Sequence, residues 1–117
     1  MKPDSLCFCR STQQSFLRLL TTAGVMSVYG NDQLSNKDAW GAYESFIADD
    51  RIIFQGEPPS LSPIWKKLAG RRTSSPKLWV DAYLAAFAMA SGAQLVTTDK
   101  AFSQFPGLDV RVIHPSL

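Results

Sequence analysis

The chain has 117 residues, which is room for one domain, and nothing in it suggests two. An apolar fraction of 45% and a charged fraction of 19% are those of an ordinary globular protein and exclude a disordered or low-complexity chain. A net charge of +2 and a pI near 8.7 permit a polyanionic partner without demanding one.

Met1-Lys2-Pro3-Asp4 carries no apolar signal core. The apolar run around residues 78–90 is too short to span a bilayer and holds Asp81 inside it. No membrane contact is expected, and the cytoplasm is the expected compartment.

In chain order, Leu6 to Arg10 reads as a short strand. Cys7 and Cys9, two apart, fall on one face of it. Zinc would need further soft ligands, and His114 is the single histidine, so reduced, packed thiols are expected. Ser11 or Thr12 caps a helix on which Phe16, Leu17 and Leu20 share a face. Gly24 and Tyr29-Gly30-Asn31-Asp32 mark a loop.

Ser35 opens a second helix, with Asp38 three residues on and an apolar stripe of Ala39, Trp40, Tyr43, Phe46 and Ile47. Asp49-Asp50 ends it, Arg51 to Gln55 is a strand, and Gly56-Glu57-Pro58-Pro59 breaks the chain. A third helix runs from about Ser62-Pro63 to Leu68 and stops near Gly70. Ser75-Pro76 starts a fourth, apolar on every face from Leu78 to Ala90 except at Asp81 and the Tyr83 hydroxyl. Gly92 closes it, Gln94 to Thr97 is a strand, and a last strand, Val110 to Ile113, follows a short turn. Such alternation predicts an α/β fold with a mostly parallel sheet flanked by helices.

Two carboxylates need explaining. Asp81 sits in a helix that is otherwise set for burial, where an unpaired charge is costly. Its partner is either Lys77, four residues earlier, through an ion pair of only about 0.3–0.5 kcal/mol, or a metal ion. Asp99 follows the strand Leu95-Val96-Thr97, where open α/β sheets bind ligands, or it caps a turn through Lys100-Ala101-Phe102. If both acids face one cleft, their hard oxygens suit Mg²⁺ or Mn²⁺.

The stretch from Ser75 to Ala88, with Trp79-Val80-Asp81-Ala82-Tyr83, and Gly92 to Phe102, with Leu95-Val96-Thr97-Thr98-Asp99, resembles the C-terminal half of PIN domains in bacterial VapC toxins. Cys7 to Arg18 is similar to their second strand and following helix, so the likeness spans nearly the whole chain as a single PIN-like domain. The resemblance implies a Mg²⁺-dependent endoribonuclease of a toxin–antitoxin system, leaving a 5′-phosphate. RNA is then the substrate, a cognate antitoxin is a partner, and a homodimer is expected. Asp81 and Asp99 match two of the family's acids. A third usually follows the threonine of the second-strand motif, where Gln13 stands, which can bond a metal-bound water but brings no charge. Gln13 and Thr97 are the candidates for residues that support the metal site from behind its ligands.

The same family begins with a central strand ending in aspartate and a helix. Nothing in this chain matches them, and Asp4 is a poor substitute. The expectation is an N-terminally truncated sheet lacking its first central strand, with one catalytic acid absent and activity impaired. A start at an internal methionine, or a decayed gene, would account for this.

Lys66, Lys67, Arg71, Arg72 and Lys77 form an acid-free run leading into the Asp81 helix. It is read either as an RNA-backbone contact or as a solvated face. Trp40, Trp65 and Trp79 fall at helical spacing and are assigned to the core. The competing reading is a catalytically inactive PIN-like remnant that serves as a dimerisation or antitoxin-binding module.

Overall fold

A computed structural model describes residues 5–113, so Asp4 and His114 lie outside the described residues. The elements are β1 (Leu6–Phe8), α1 (Arg10–Leu20), α2 (Ala23–Val28), α3 (Asn36–Ile47), β2 (Ile52–Phe54), α4 (Leu61–Ala69), α5 (Leu78–Ser91), β3 (Leu95–Thr97) and β4 (Val110–Val112). A 3₁₀ turn, Lys100–Gln104, lies between β3 and β4. The chain divides into two compact units, Met1–Gly56 and Glu57–Leu117.

In the first unit β1 pairs in parallel with β2, Leu6 opposite Ile52 and Phe8 opposite Phe54. Helices fill the crossover, as parallel pairing requires. Aromatic side chains pack around the buried Tyr43: Phe8 meets Phe16 at 5.5 Å and Tyr43 at 5.4 Å, both edge-on, and Phe16 meets the exposed Phe46 at 5.4 Å. Cys9, rather than Ser11 or Thr12, occupies the N-cap of α1. Thr12 still serves that end from inside the first turn, its hydroxyl accepting from the Cys9 N–H at 2.9 Å. Both thiols are free.

The segment around Gly24, expected as loop, contains the short helix α2. Thr22 leads in, and its carbonyl accepts from the Met26 N–H at 3.1 Å. A glycine inside so short a helix costs backbone entropy but does not forbid the turn. Ser35 caps α3 as expected, its hydroxyl accepting from the Asp38 N–H at 3.1 Å.

The second unit packs α4 against α5 around Ala69, Leu78, Ala82, Ala85, Phe102 and Phe105. Alanines at 82, 85 and 86 let the neighbouring elements approach α5 closely. The helix starts at Leu78, after a turn in which the Leu78 N–H bonds to Ser75 O at 3.0 Å. That is later than Ser75-Pro76 suggested, and it places Asp81 in the first turn, where the helix dipole favours a carboxylate. Gly92 ends α5 at φ 65°, a left-handed conformation that suits glycine.

β3 and β4 also pair in parallel, Leu95 opposite Val110 and Thr97 opposite Val112. Their connection is therefore a crossover built on the 3₁₀ turn, not the short turn the sequence suggested, because two parallel strands cannot be joined by a tight hairpin. The described strands thus form an α/β, PIN-like arrangement of two parallel two-stranded ladders. No helix among the described residues is long and apolar enough to cross a membrane.

Candidate functional site

Asp81 projects from the first turn of α5, half-buried, and Asp99 follows the end of β3. Burial first, and then the negative charge of Asp99, raise the Asp81 carboxyl above its ordinary pKa. Asp81 therefore lies within reach of the Asp99 charge. A like-charge pair in a partly desolvated place needs either a proton or a cation.

No ion pair between Lys77 and Asp81 forms. The single ion pair among the described residues is Arg51 with Asp49 at 2.7 Å. That pair holds the exposed Asp49 carboxyl down to about 2 through hydrogen bonds from Arg51. The weaker of the two explanations offered for Asp81 is thus unsupported by contact.

Asp99 takes the capping role considered for it, just past the end of β3. Its Oδ1 accepts from the Ala101 N–H at 2.9 Å, capping the 3₁₀ turn. Oδ2 has no hydrogen-bond partner among the described residues. Thr97 fixes the approach: its Oγ1 accepts from the Asp99 N–H at 3.1 Å, and its carbonyl continues the β3–β4 ladder by accepting from Ile113 at 2.7 Å. Thr97 thus sits behind Asp99 as a brace.

Gln13 is the one buried polar residue of the described chain, only 5% exposed, and its Oε1 accepts from the Arg10 guanidinium at 2.5 Å. It belongs to the first unit, while the acid pair belongs to the second, and each unit stands by itself in this description. Among the described residues no group of three or more His, Cys, Asp or Glu side chains comes together as a metal cage.

Of the basic run, Lys66, Lys67, Arg71, Arg72 and Lys77 are all exposed, and none is paired to an acid. Lys67 and Arg71 line a groove of about 620 Å³ with Ile64, Leu68, Met89 and Phe105. The Arg71 guanidinium donates to Gln104 Oε1 at 2.5 Å, a contact that sequence reasoning had no signal for. The tryptophans depart from expectation. Trp65 is partly buried against the core, but Trp40 and Trp79 are exposed, because helical spacing fixes a face and says nothing of how far the packing layer extends along it.

An α/β chain with parallel strands, carrying one acid just past a strand end and another at a helix start, defines the class. The sequence pattern of the PIN domain matches residues 4–108. The chain belongs to the PIN-domain family and is VapC-like within it. Over 112 residues it is 50% identical to Ribonuclease VapC41 of Mycobacterium tuberculosis, in strains CDC 1551 / Oshkosh and ATCC 25618 / H37Rv alike. The match covers 95% of this chain and 77% of each relative.

Proposed function

We infer that this chain is a single-domain PIN endoribonuclease of a toxin–antitoxin system, acting in the cytoplasm with Asp81 and Asp99 at the reacting phosphate. The observation that carries the reading is that the half-buried Asp81, at the start of α5, lies within reach of the charge of Asp99, just past β3. The 50% identical relatives are ribonucleases by name, which supports the substrate class. A cognate antitoxin as inhibitor and a homodimeric state are part of the same proposal.

The donor set fits Mg²⁺ or Mn²⁺. Both acids offer hard oxygens, and the described part of their unit contains no histidine or thiol to draw a softer metal. Magnesium is commonly held by one or two carboxylates together with substrate phosphates, so two acids suffice for a site of modest affinity. Such an ion would lower the pKa of a water and offset charge on the phosphoryl oxygens.

The remaining work belongs to the chain. Asp81 and Asp99 hold the negative charge that recruits the cation, and Thr97 keeps the Asp99 backbone in register. Lys66, Lys67, Arg71, Arg72 and Lys77 contact the RNA backbone without reading sequence. Water oxygen bonds to phosphorus, the P–O3′ bond breaks, and one water proton ends on the departing 3′ oxygen. The products are a 3′-hydroxyl and a 5′-phosphate.

One observation favours a second reading, an inactive PIN module that binds antitoxin or a second copy. This is the lack of a three-ligand cluster among the described residues. RNA cleavage in Mg²⁺ or Mn²⁺, stopped by chelator and by Asp81→Asn or Asp99→Asn, supports the enzyme. A calorimetric Mn²⁺ titration with no heat of binding by the native chain leaves the binding module.

A further inference from the structure

Arg10 opens α1 and puts its charge at the less favourable end of that helix. A helix N-terminus carries about half a positive charge, which favours an acid and disfavours a cation. Yet α1 has no acid in its first turn, and Arg10 is exposed with no ion-pair partner among the described residues. The N–H groups at the start of the helix, on Arg10 and Ser11, add donors that no intrahelical carbonyl accepts. Positive charge is gathered here and left unbalanced.

The guanidinium is nevertheless held from two sides. It lies over the Phe54 ring, 4.9 Å from the centroid, and its Nη1 donates to Gln13 Oε1 at 2.5 Å. Gln13 is buried, so the anchor is a fixed amide, and a hydrogen bond from a charged donor is a strong one. The Nε and Nη2 donors have no acceptor among the described residues. A guanidinium kept only to shield Phe54 would be stabilised further by an acid in the first turn, and none is there.

Its place in the fold points the same way. Phe54 is the last residue of β2 and pairs with Phe8, the last of β1. Arg10, just past β1 and laid over Phe54, therefore covers the carboxyl ends of both parallel strands, which is where open α/β sheets bind ligands. The ligand that balances this charge is an anion. One guanidinium and a helix end offset about one and a half charges, which suits the single charge of a phosphodiester better than the double charge of a phosphate monoester. The free Nε–Nη2 edge matches two phosphate oxygens.

We propose that Arg10, anchored by Gln13 and Phe54 at the start of α1, is a subsite for one phosphate group, and that a phosphodiester of the RNA strand fills it. The choice of RNA rests on the ribonuclease reading above; the phosphate chemistry rests on Arg10 and its surroundings. Arg10 binds the strand without reading its sequence. Gln13 is a positioning residue that acts through Arg10.

Binding is read by the anisotropy of a 5′-fluorescein-labelled single-stranded RNA decamer, in chelator, with the full chain carrying Asp99→Asn so that nothing is cleaved. Arg10→Gln is expected to weaken binding roughly tenfold and to lower the slope of log K against log salt by about 0.7. Arg10→Lys should restore the slope and only part of the affinity, since an ammonium lacks the planar fork. Gln13→Glu keeps the shape and the anchor but sets a carboxylate against the guanidinium. It should weaken RNA binding as Arg10→Gln does while melting no lower than its parent, an outcome that a purely structural Arg10 does not give. Decamers with one uncharged methylphosphonate linkage at successive positions identify the source of the phosphate: the Arg10→Gln penalty should vanish at one linkage.

A penalty equal at every linkage, but lost in millimolar inorganic phosphate at constant ionic strength, marks a free-phosphate site and overturns the assignment to RNA. Unchanged RNA affinity and salt slope in both Arg10→Gln and Gln13→Glu overturns the subsite, and leaves the ribonuclease standing where cleavage by the native chain still depends on Asp81. Arg10-dependent binding by a native chain that cleaves no RNA in Mg²⁺ or Mn²⁺ supports the subsite and sinks the ribonuclease reading instead.

Discussion

The charge of Asp99, past the end of β3, reaches the carboxyl of Asp81 in the first turn of α5. Burial, and after it the Asp99 charge, holds the Asp81 carboxyl above its ordinary pKa of 3.8. Two elements that share no hydrogen-bonded ladder are thereby set to keep negative charge in one place, at a cost to the metal-free fold. Sites that carry such a cost are where function is to be sought.

That cost has a sign and a pH window. A carboxyl whose folded pKa is raised binds more proton in the native than in the unfolded state between the two values, so stability falls as pH rises through that window. Asp81→Asn removes the penalty. In chelator at neutral pH the variant should melt above the native chain. The difference should shrink on acidification and vanish below about 3.8. Saturating Mg²⁺ should reverse the order, because only the native chain gains stability from the ion. Thermal melts at several pH values, with and without metal, measure this; an Asp81→Asn chain that melts lower in chelator contradicts it.

Metal affinity should track the same group. A divalent ion binds the ionised pair, so proton and metal compete at Asp81. Apparent Mn²⁺ affinity should fall as pH drops through the raised Asp81 pKa, and proton release should accompany binding above the ordinary carboxylate range. Asp81→Asn and Asp99→Asn should each weaken binding by at least tenfold, and the double variant little further, because the acids act as one unit. Calorimetry in buffers of different ionisation enthalpy reads both quantities.

Asp81 was legible in the sequence because a charge inside an otherwise apolar helix demands a partner, and Asp99 because it ends a strand. What the sequence hid was length and reach. Two residues of extra turn at Pro76-Lys77 move Asp81 into the first turn of α5. The path from β3 to β4 reads as a turn until parallel register shows it to be a crossover. Trp79 has the spacing of a core residue but lies at a helix start, beyond the packed layer. The Arg71–Gln104 contact joins residues far apart in sequence and has no local signature.

Thr97 offers a separable test of positioning. Its hydroxyl accepts from the Asp99 N–H at 3.1 Å, so Thr97→Val removes that bond while keeping the β-branched shape. The expected loss is about 1 kcal/mol of stability. Mn²⁺ affinity and RNA cleavage should drop severalfold and not be abolished, and Thr97→Ser should restore both. A valine variant indistinguishable from the native chain in metal binding would show that Asp99 needs no brace.

The basic run should act through number more than through identity. Each cation that neutralises a phosphate releases a counterion, and for single-stranded RNA the slope of log K against log salt changes by about 0.7 per contact. Replacing Lys66, Lys67, Arg72 and Lys77 by glutamine one at a time should lower the slope by about that amount wherever the residue touches the backbone. All RNA sequences should be weakened alike, since phosphate contacts carry no sequence information. Arg71 should differ from the rest. Its guanidinium also donates to Gln104, so Arg71→Gln removes an intramolecular contact along with a charge, whereas Arg71→Lys keeps the charge and loses the planar fork. If Arg71→Lys holds the salt slope but lowers the melting temperature, the two roles are separate. If both variants leave slope and stability unchanged, the residue is solvated and the patch at that end is not a phosphate contact.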